Sequence, residues 1–260
     1  MLDRRVLVHL LSLVLCVACR ANGAAPGAAK SPERERLERR LADIFETGAY
    51  TPKSFGPARW VDAHSYLTVE ASATLAGGTD LVRYDAASGA RSLLIAAERL
   101  VPSGAQTALT IEDYAFSADG ARVLLFTNTR KVWRQNTRGD YWVLELGSGS
   151  LRELGGDAPE ASLMFAKLSP DGTQAGYVRG NDLYVEDLAS GALTRLTSDG
   201  SPTSINGTSD WVYEEEFDLR DGWRWSSDGK SLAFWHFDSS GVPLYTLVNT
   251  TASLYPQLTT

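Results

Sequence analysis

The sequence predicts an all-β protein, a partial β-propeller of about four four-stranded blades. Three observations carry this reading. Two kinds of hairpin turn alternate along the chain, and copies of each stand roughly 40 to 60 residues apart, the period of a propeller blade. The segments between the turns are short and rich in β-branched and aromatic residues, and only one stretch has a helical period.

The first turn is a Ser-x-Asp-Gly tetrad between two apolar segments: FSADGARVLLF (116–126), LSPDGTQAGYV (168–178) and WSSDGKSLAFW (225–235). Asp-Gly is a strong hairpin signal because its turn needs a positive φ. The second turn centres on Ser88, Ser148 and Ser190, each followed by Gly, in LVRYDAASGARSLLI, YWVLELGSGSLRELG and LYVEDLASGALTRLT. The two kinds run in the order second, first, second, first, second, first, which places blades at about 58–97, 110–156, 160–198 and 205–260 within a propeller region 58–260. WVDAHSYLTVE from Trp60 supplies the first half of blade one, and VPLYTLVNTTASLYPQL from Val242 the unfinished second half of blade four. A β-solenoid is the rival architecture, but alternation of two different hairpins fits blades better.

Ahead of the blades, SPERERLERRLADIFETG reads as a helix over 31–47. Ser31 is its N-cap, Pro32 its first residue and Glu33 lies in the first turn, with Leu37, Leu41, Ile44 and Phe45 along one side and Gly48 closing it. Residues 1–29 have the plan of a signal peptide and linker: Arg4 and Arg5, an apolar run from Val6 to Ala18, then small residues. The run is too short to span a membrane. The expectation is an exported protein, periplasmic or extracellular, with ordinary cleavage in the Ala/Gly-rich stretch. Val17-Ala18-Cys19 offers the alternative of a lipid anchor through Cys19, although Cys16 sits where such boxes prefer Leu.

Both cysteines lie in this leader, so the remaining chain has no disulfide framework and no thiolate metal site. Without residues 1–20, which hold Arg4, Arg5, Arg20 and Asp3, the balance of 25 basic to 32 acidic residues becomes 22 to 31. An acidic chain without a basic stripe argues against a nucleic-acid partner. No Gly-x-Ser-x-Gly elbow, phosphate loop or dinucleotide fingerprint occurs. Beyond the leader only His64 and His236 remain, without metal-ligand spacing, so neither metal nor cofactor is expected.

Two stretches stand out. RKVWRQNTRGDYWV (130–143) gathers Arg130, Arg134 and Arg138 around Trp133. It reads either as an exposed hairpin end or as a guanidinium aimed at a carbonyl or carboxylate. DWVYEEEF (210–217) sets Glu214, Glu215 and Glu216 in a short helical turn capped by Ser209 or Asp210, with Trp211, Val212, Tyr213 and Phe217 as an apolar body that should anchor it. Alone, the three glutamates read as a solvated face. Anchored, they repel one another unless a cation relieves them, which suits a fixed ammonium.

The string Asp210-Trp211-Val212-Tyr213-Glu214-Glu215-Glu216, followed by WRWSSDGKSLAFWHFD and VPLY, resembles the amine-recognition segment of the dipeptidyl peptidase IV type in the prolyl oligopeptidase family of serine peptidases. The helix over 31–47 and the Trp133-Arg134 pair also stand where that family would place them. The resemblance implies the N-terminal part of an eight-bladed propeller, followed in a longer parent by an α/β-hydrolase domain whose Ser, Asp and His have no counterparts in these residues. It implies that Glu215 and Glu216 grip a peptide's free N-terminal ammonium, that Arg134 binds the carbonyl of the penultimate-position residue, and that Glu214, Trp211, Tyr213 and Trp133 support them. The parent would release N-terminal Xaa-Pro or Xaa-Ala dipeptides, with a second copy of itself as a candidate partner, and this chain alone would be inactive. The rival reading is a non-catalytic propeller module that senses peptide N-termini.

Overall fold

The computed structural model describes residues 30–52 and 55–259. The expected signal, with Cys16 and Cys19, lies outside them. The chain divides after Phe55 into two units. In the first, helix α1 (Pro32–Phe45) starts as expected: Ser31 accepts a hydrogen bond from the Arg34 amide at 3.3 Å, and Glu33 and Glu35 face the positive end of the dipole. No residue of α1 is buried, so the side bearing Leu37, Leu41, Ile44 and Phe45 is exposed rather than packed.

The second unit is a run of antiparallel meanders, the build of propeller blades. The first holds β1 (Ala58–Trp60), β2 (Ser65–Ala71), β3 (Thr79–Asp85) and β4 (Arg91–Ile95), hydrogen-bonded in that order. The second holds β5 (Asp113–Phe116), β6 (Arg122–Val132), β7 (Gln135–Glu145) and β8 (Leu151–Glu153). The third holds β9 (Leu163–Leu168), β10 (Gln174–Arg179), β11 (Asp182–Asp187) and β12 (Leu193–Arg195). Gly139 opposite Leu163 ties β7 of the second meander to β9 of the third.

Period-two alternation explains the unbroken apolar runs, because both faces of an inner blade are buried. On β6, Val123 and Leu125 enter a core shared with Leu81 and Ile95 of the first meander and Leu100 just after it, while Leu124 enters one shared with Leu163, Ala175 and Tyr177 of the third. On β10, Ala175 and Tyr177 face that second core and Val178 faces the next, around Trp223.

The recurrent turns close on themselves. In each Ser-x-Asp-Gly tetrad the serine hydroxyl donates to the aspartate two residues on (Ser117 to Asp119 at 2.5 Å, Ser169 to Asp171 and Ser226 to Asp228 at 2.6 Å). The same hydroxyl accepts the amide of the returning strand. In two of the second turns, Asp85 and Asp187 accept the Ser88 and Ser190 amides at 2.7 Å.

Over 205–260, where a fourth four-stranded blade is expected, the strands form three two-stranded pairs instead. β13 (Ser204–Asn206) pairs with β16 (His236–Asp238), β14 (Trp223–Trp225) with β15 (Leu232–Phe234), and β17 (Leu247–Asn249) with β18 (Gln257–Thr259). The physical cause of the first two is one interruption. β15 and β16 run on through Trp235 as a single line, and β13 and β14 lie end to end along it, separated by an excursion over 208–221.

Candidate binding site at the hairpin tip and the strand excursion

Two departures from the regular meanders meet. The first is the β6–β7 hairpin. Each of its strands has 11 residues, against 4 in β5 and 3 in β8, so its outer half runs past its neighbours. Val132 opposite Gln135 is its last pair, leaving Trp133 and Arg134 as the tip. Trp133 has φ 53°, a left-handed conformation that costs a bulky residue energy and persists only where the surroundings hold it.

The second departure is the excursion 208–221. At its neck Thr208 bridges Asp221, the Gly222 amide donates to the Gly207 carbonyl at 3.2 Å, and Trp235 receives and gives one backbone bond to these glycines at 2.9 Å each. Gly207 is required by space and backbone, and Gly222 is closely packed. A Cβ on Gly207 (φ 75°) would stand 2.8 Å from Leu183, and one on Gly222 would stand 3.2 Å from the Thr208 backbone. At the far end sits helix α2 (Trp211–Phe217), with Asp210 accepting the Tyr213 amide at 3.2 Å and Asp218 ending it at φ 52°.

Of the expected apolar body, Tyr213 does the anchoring. Its ring packs edge-on against Phe237 at 4.9 Å and against Trp235 at 5.8 Å. Trp211, Val212 and Phe217 are exposed, because a helix of this length turns only one side to the sheet.

The three glutamates have three different environments. Glu214 is buried, its Oε1 accepting the Arg134 amide at 3.1 Å and its Oε2 standing 3.5 Å from Arg220 Nε. At that separation the two charges attract, but neither atom gains a hydrogen bond. Glu215 receives the Arg134 guanidinium in a fork, Nε on one oxygen and Nη2 on the other. This contact holds the Arg134 pKa above its ordinary value. The Glu216 side chain is exposed and makes no hydrogen bond or ion pair among the described residues. Two guanidiniums face three glutamates here, and Glu216 carries the uncompensated charge.

Arg134, Glu215 and Glu216 were expected to act together, and the fold brings them to one place with Glu214 beneath. Sequence reasoning missed Arg220. This buried guanidinium lies 3.9 Å over the Trp133 ring, donates to the Ser209 carbonyl and lies beside Glu214, so it clasps the hairpin tip and the excursion at once. Burial pushes its pKa down to about 10, with Glu214 opposing. The signal was present, for Arg220 is the sole basic residue of 208–221. Gln135, donating to Asp218, adds a further tie. Arg130 and Arg138 face each other across the hairpin ladder and do not join the site's ion pairs. His236 Nδ1 lies 2.9 Å from Asn206 Oδ1, a structural contact between β13 and β16. Among the described residues no group of three or more His, Cys, Asp or Glu could hold a metal ion.

The arrangement suits a ligand that offers a cation beside a hydrogen-bond acceptor. Arg134 spends two of its five N–H donors on Glu215, and the rest can meet an oxygen. The oxygens of Glu215 and Glu216 can meet an ammonium.

The chain is similar to known proteins. The family profile described as the dipeptidyl peptidase IV (DPP IV) N-terminal region matches residues 117–260. Dipeptidyl peptidase 4 of Trichophyton tonsurans is 37% identical over 168 residues, covering 64% of this chain and 20% of that protein. Dipeptidyl peptidase 4 of Trichophyton rubrum is 36% identical over the same length and shares. The crystal structure of Porphyromonas gingivalis dipeptidyl peptidase 4 superposes with a TM-score of 0.67 at 28% identity, covering 82% of this chain and 29% of that one. The chain thus spans about a fifth of the curated relatives it matches.

Proposed function

Since the chain belongs to the dipeptidyl peptidase IV N-terminal region family, we propose that it is the substrate-recognition part of an exported dipeptidyl peptidase IV-like serine peptidase that removes Xaa-Pro or Xaa-Ala dipeptides from peptide N-termini. Glu216 and Glu215 receive the free N-terminal ammonium, and Arg134, oriented by its fork on Glu215, receives the backbone carbonyl of the penultimate-position residue. Held at both points, the peptide presents one bond at a fixed distance from its end, and catalysis gains from positioning rather than from proton transfer.

The observation that supports this reading is the Arg134–Glu215 fork with Glu216 unpartnered beside it, which sets an acceptor site and a cation site side by side. The test is steady-state kinetics of the full-length protein on Xaa-Pro substrates. Acetylating the substrate's N-terminus should abolish turnover, and Glu216→Gln should raise KM. Equal turnover of free and acetylated peptides would sink the assignment.

A further inference from the structure

The neck of the excursion carries a contact that the amine site does not use. Asp221, which closes the neck against Thr208, accepts a hydrogen bond on Oδ1 from Lys167 Nζ at 2.6 Å. Lys167 belongs to β9 of the third meander. Its ammonium also donates to the Phe165 carbonyl at 3.2 Å and lies 4.2 Å over the Trp223 ring, while the Trp223 indole donates to that same carbonyl at 3.1 Å. The side chain is 24% exposed and forms part of the wall of a cavity of about 180 Å³. A cation here is not required of every repeat: two residues before the turn serine, the second meander has Ala115 where the third has Lys167 and the last tetrad Arg224.

We propose that Lys167 is a positioning residue for the carboxylate site, clamping the neck of the excursion through Asp221, and that loss of its proton releases the clamp. The inference rests on reading the excursion as the amine-binding element.

Burial pushes the Lys167 ammonium down to about 8, with Asp221 acting against it. The charged groups facing it are Asp221 from the neck, Arg224 from β14, which contacts Asp221 Oδ2 at 2.9 Å, and Asp113 from β5, which is paired with Arg59. From β7 the Tyr141 phenol faces the same cavity, and burial pushes it up, so it stays neutral while Lys167 titrates. Because the folded pKa lies below the ordinary value of 10.5, the native chain binds fewer protons than the unfolded chain between about 8 and 10.5. The Lys167 contribution to global stability therefore rises with pH in that window. What is lost is the ion pair at the neck: an opening that carries Asp221 away while Lys167 stays buried over Trp223 leaves the ammonium without its counter-ion, so this local release, unlike unfolding, is favoured as Lys167 loses its proton.

The experiment is hydrogen exchange by mass spectrometry on the full-length protein without substrate, following the 208–222 amides from pH 6.5 to 9.5 after correction for intrinsic exchange. Kinetics on an Xaa-Pro substrate run in parallel. In the wild type, protection of these amides should fall several-fold above pH 8. In Lys167→Arg, which keeps its charge, it should stay level. Lys167→Met should lack that protection at every pH and raise KM about tenfold, one power of ten being about 1.4 kcal/mol, with kcat within twofold. A substrate's own α-amine also titrates near 8, so the wild-type and Lys167→Arg profiles are compared rather than read singly. Neck protection in Lys167→Met equal to wild type, or identical wild-type and Lys167→Arg profiles to pH 9.5, would overturn the clamp. The exchange arm needs no substrate, so it decides the clamp even if Glu215→Gln leaves KM unchanged and the amine reading falls.

Discussion

The Ser-x-Asp-Gly turns and the hairpin-tip site are both dense in polar groups, but they satisfy them over different ranges of chain. Each turn closes its hydrogen bonds within two to five residues, as Ser117 does with Asp119 and Arg122. The site closes its bonds across 80 residues or more: Arg134 to Glu214 and Glu215, and Gln135 to Asp218. A turn of the first kind repeats because it depends on nothing outside itself. The site can exist only where two irregular segments arrive together, and there the Glu216 carboxylate has no partner among the described residues. The proposed binding chemistry sits where local satisfaction stops.

The contrast can be broken most forcefully at Arg220. Arg220→Ala leaves Glu214 buried without its cation, and removing one member of a buried pair costs about 3–5 kcal/mol. We expect a loss of stability of that order in a denaturant titration, with kcat/KM falling in parallel as the hairpin tip undocks. Glu215→Gln comes next. It weakens both the proposed ammonium contact and the fork that orients Arg134, and we expect kcat/KM to drop by about 2–4 kcal/mol with little change in melting temperature.

Collective and local satisfaction are separated by paired substitutions. Glu214→Gln with Arg220→Met should depart from additivity by about 1–3 kcal/mol in unfolding free energy, whereas Asp119→Ala with Asp171→Ala should add. Glu216→Gln, at an exposed group, should cost about 1–2 kcal/mol, seen chiefly as a higher KM. The smallest effect belongs to a single turn. Asp119→Ala should lower the melting temperature by no more than about 2 °C and leave KM unchanged.

Acid sharpens the same comparison. The Ser117 and Ala121 hydrogen bonds hold Asp119 below the usual carboxylate range, and Asp171 and Asp228 are lowered in the same way by their serines. A depressed folded pKa contributes stability above the ordinary value that is lost as pH falls through the folded one. Melting temperature should therefore decline below about pH 4. In Asp119→Ala, Asp171→Ala and Asp228→Ala combined, that decline should be shallower.

The sequence by itself determined the alternation of hairpins, the strands of the first three meanders and the start of α1, because the groups that fix a turn or a cap lie within a few residues of one another. It also showed that Arg134 and the glutamate string were unusual. It did not show that 208–221 would split a strand line in two, since that depends on β15 and β16 running past both ends of the gap. Nor did apolar content reveal which residue anchors α2: Trp211, Val212 and Phe217 read as well as Tyr213, yet only Tyr213 meets Trp235 and Phe237. The tertiary structure alone decided the fates of Glu214, Glu215 and Glu216. Successive residues of a helix point about 100° apart, so three identical neighbours face three directions. What stands in each direction, Arg220 folded back from the end of the same excursion, the fork of Arg134 from 80 residues away or solvent, is set by how the chain packs and not by the glutamates themselves.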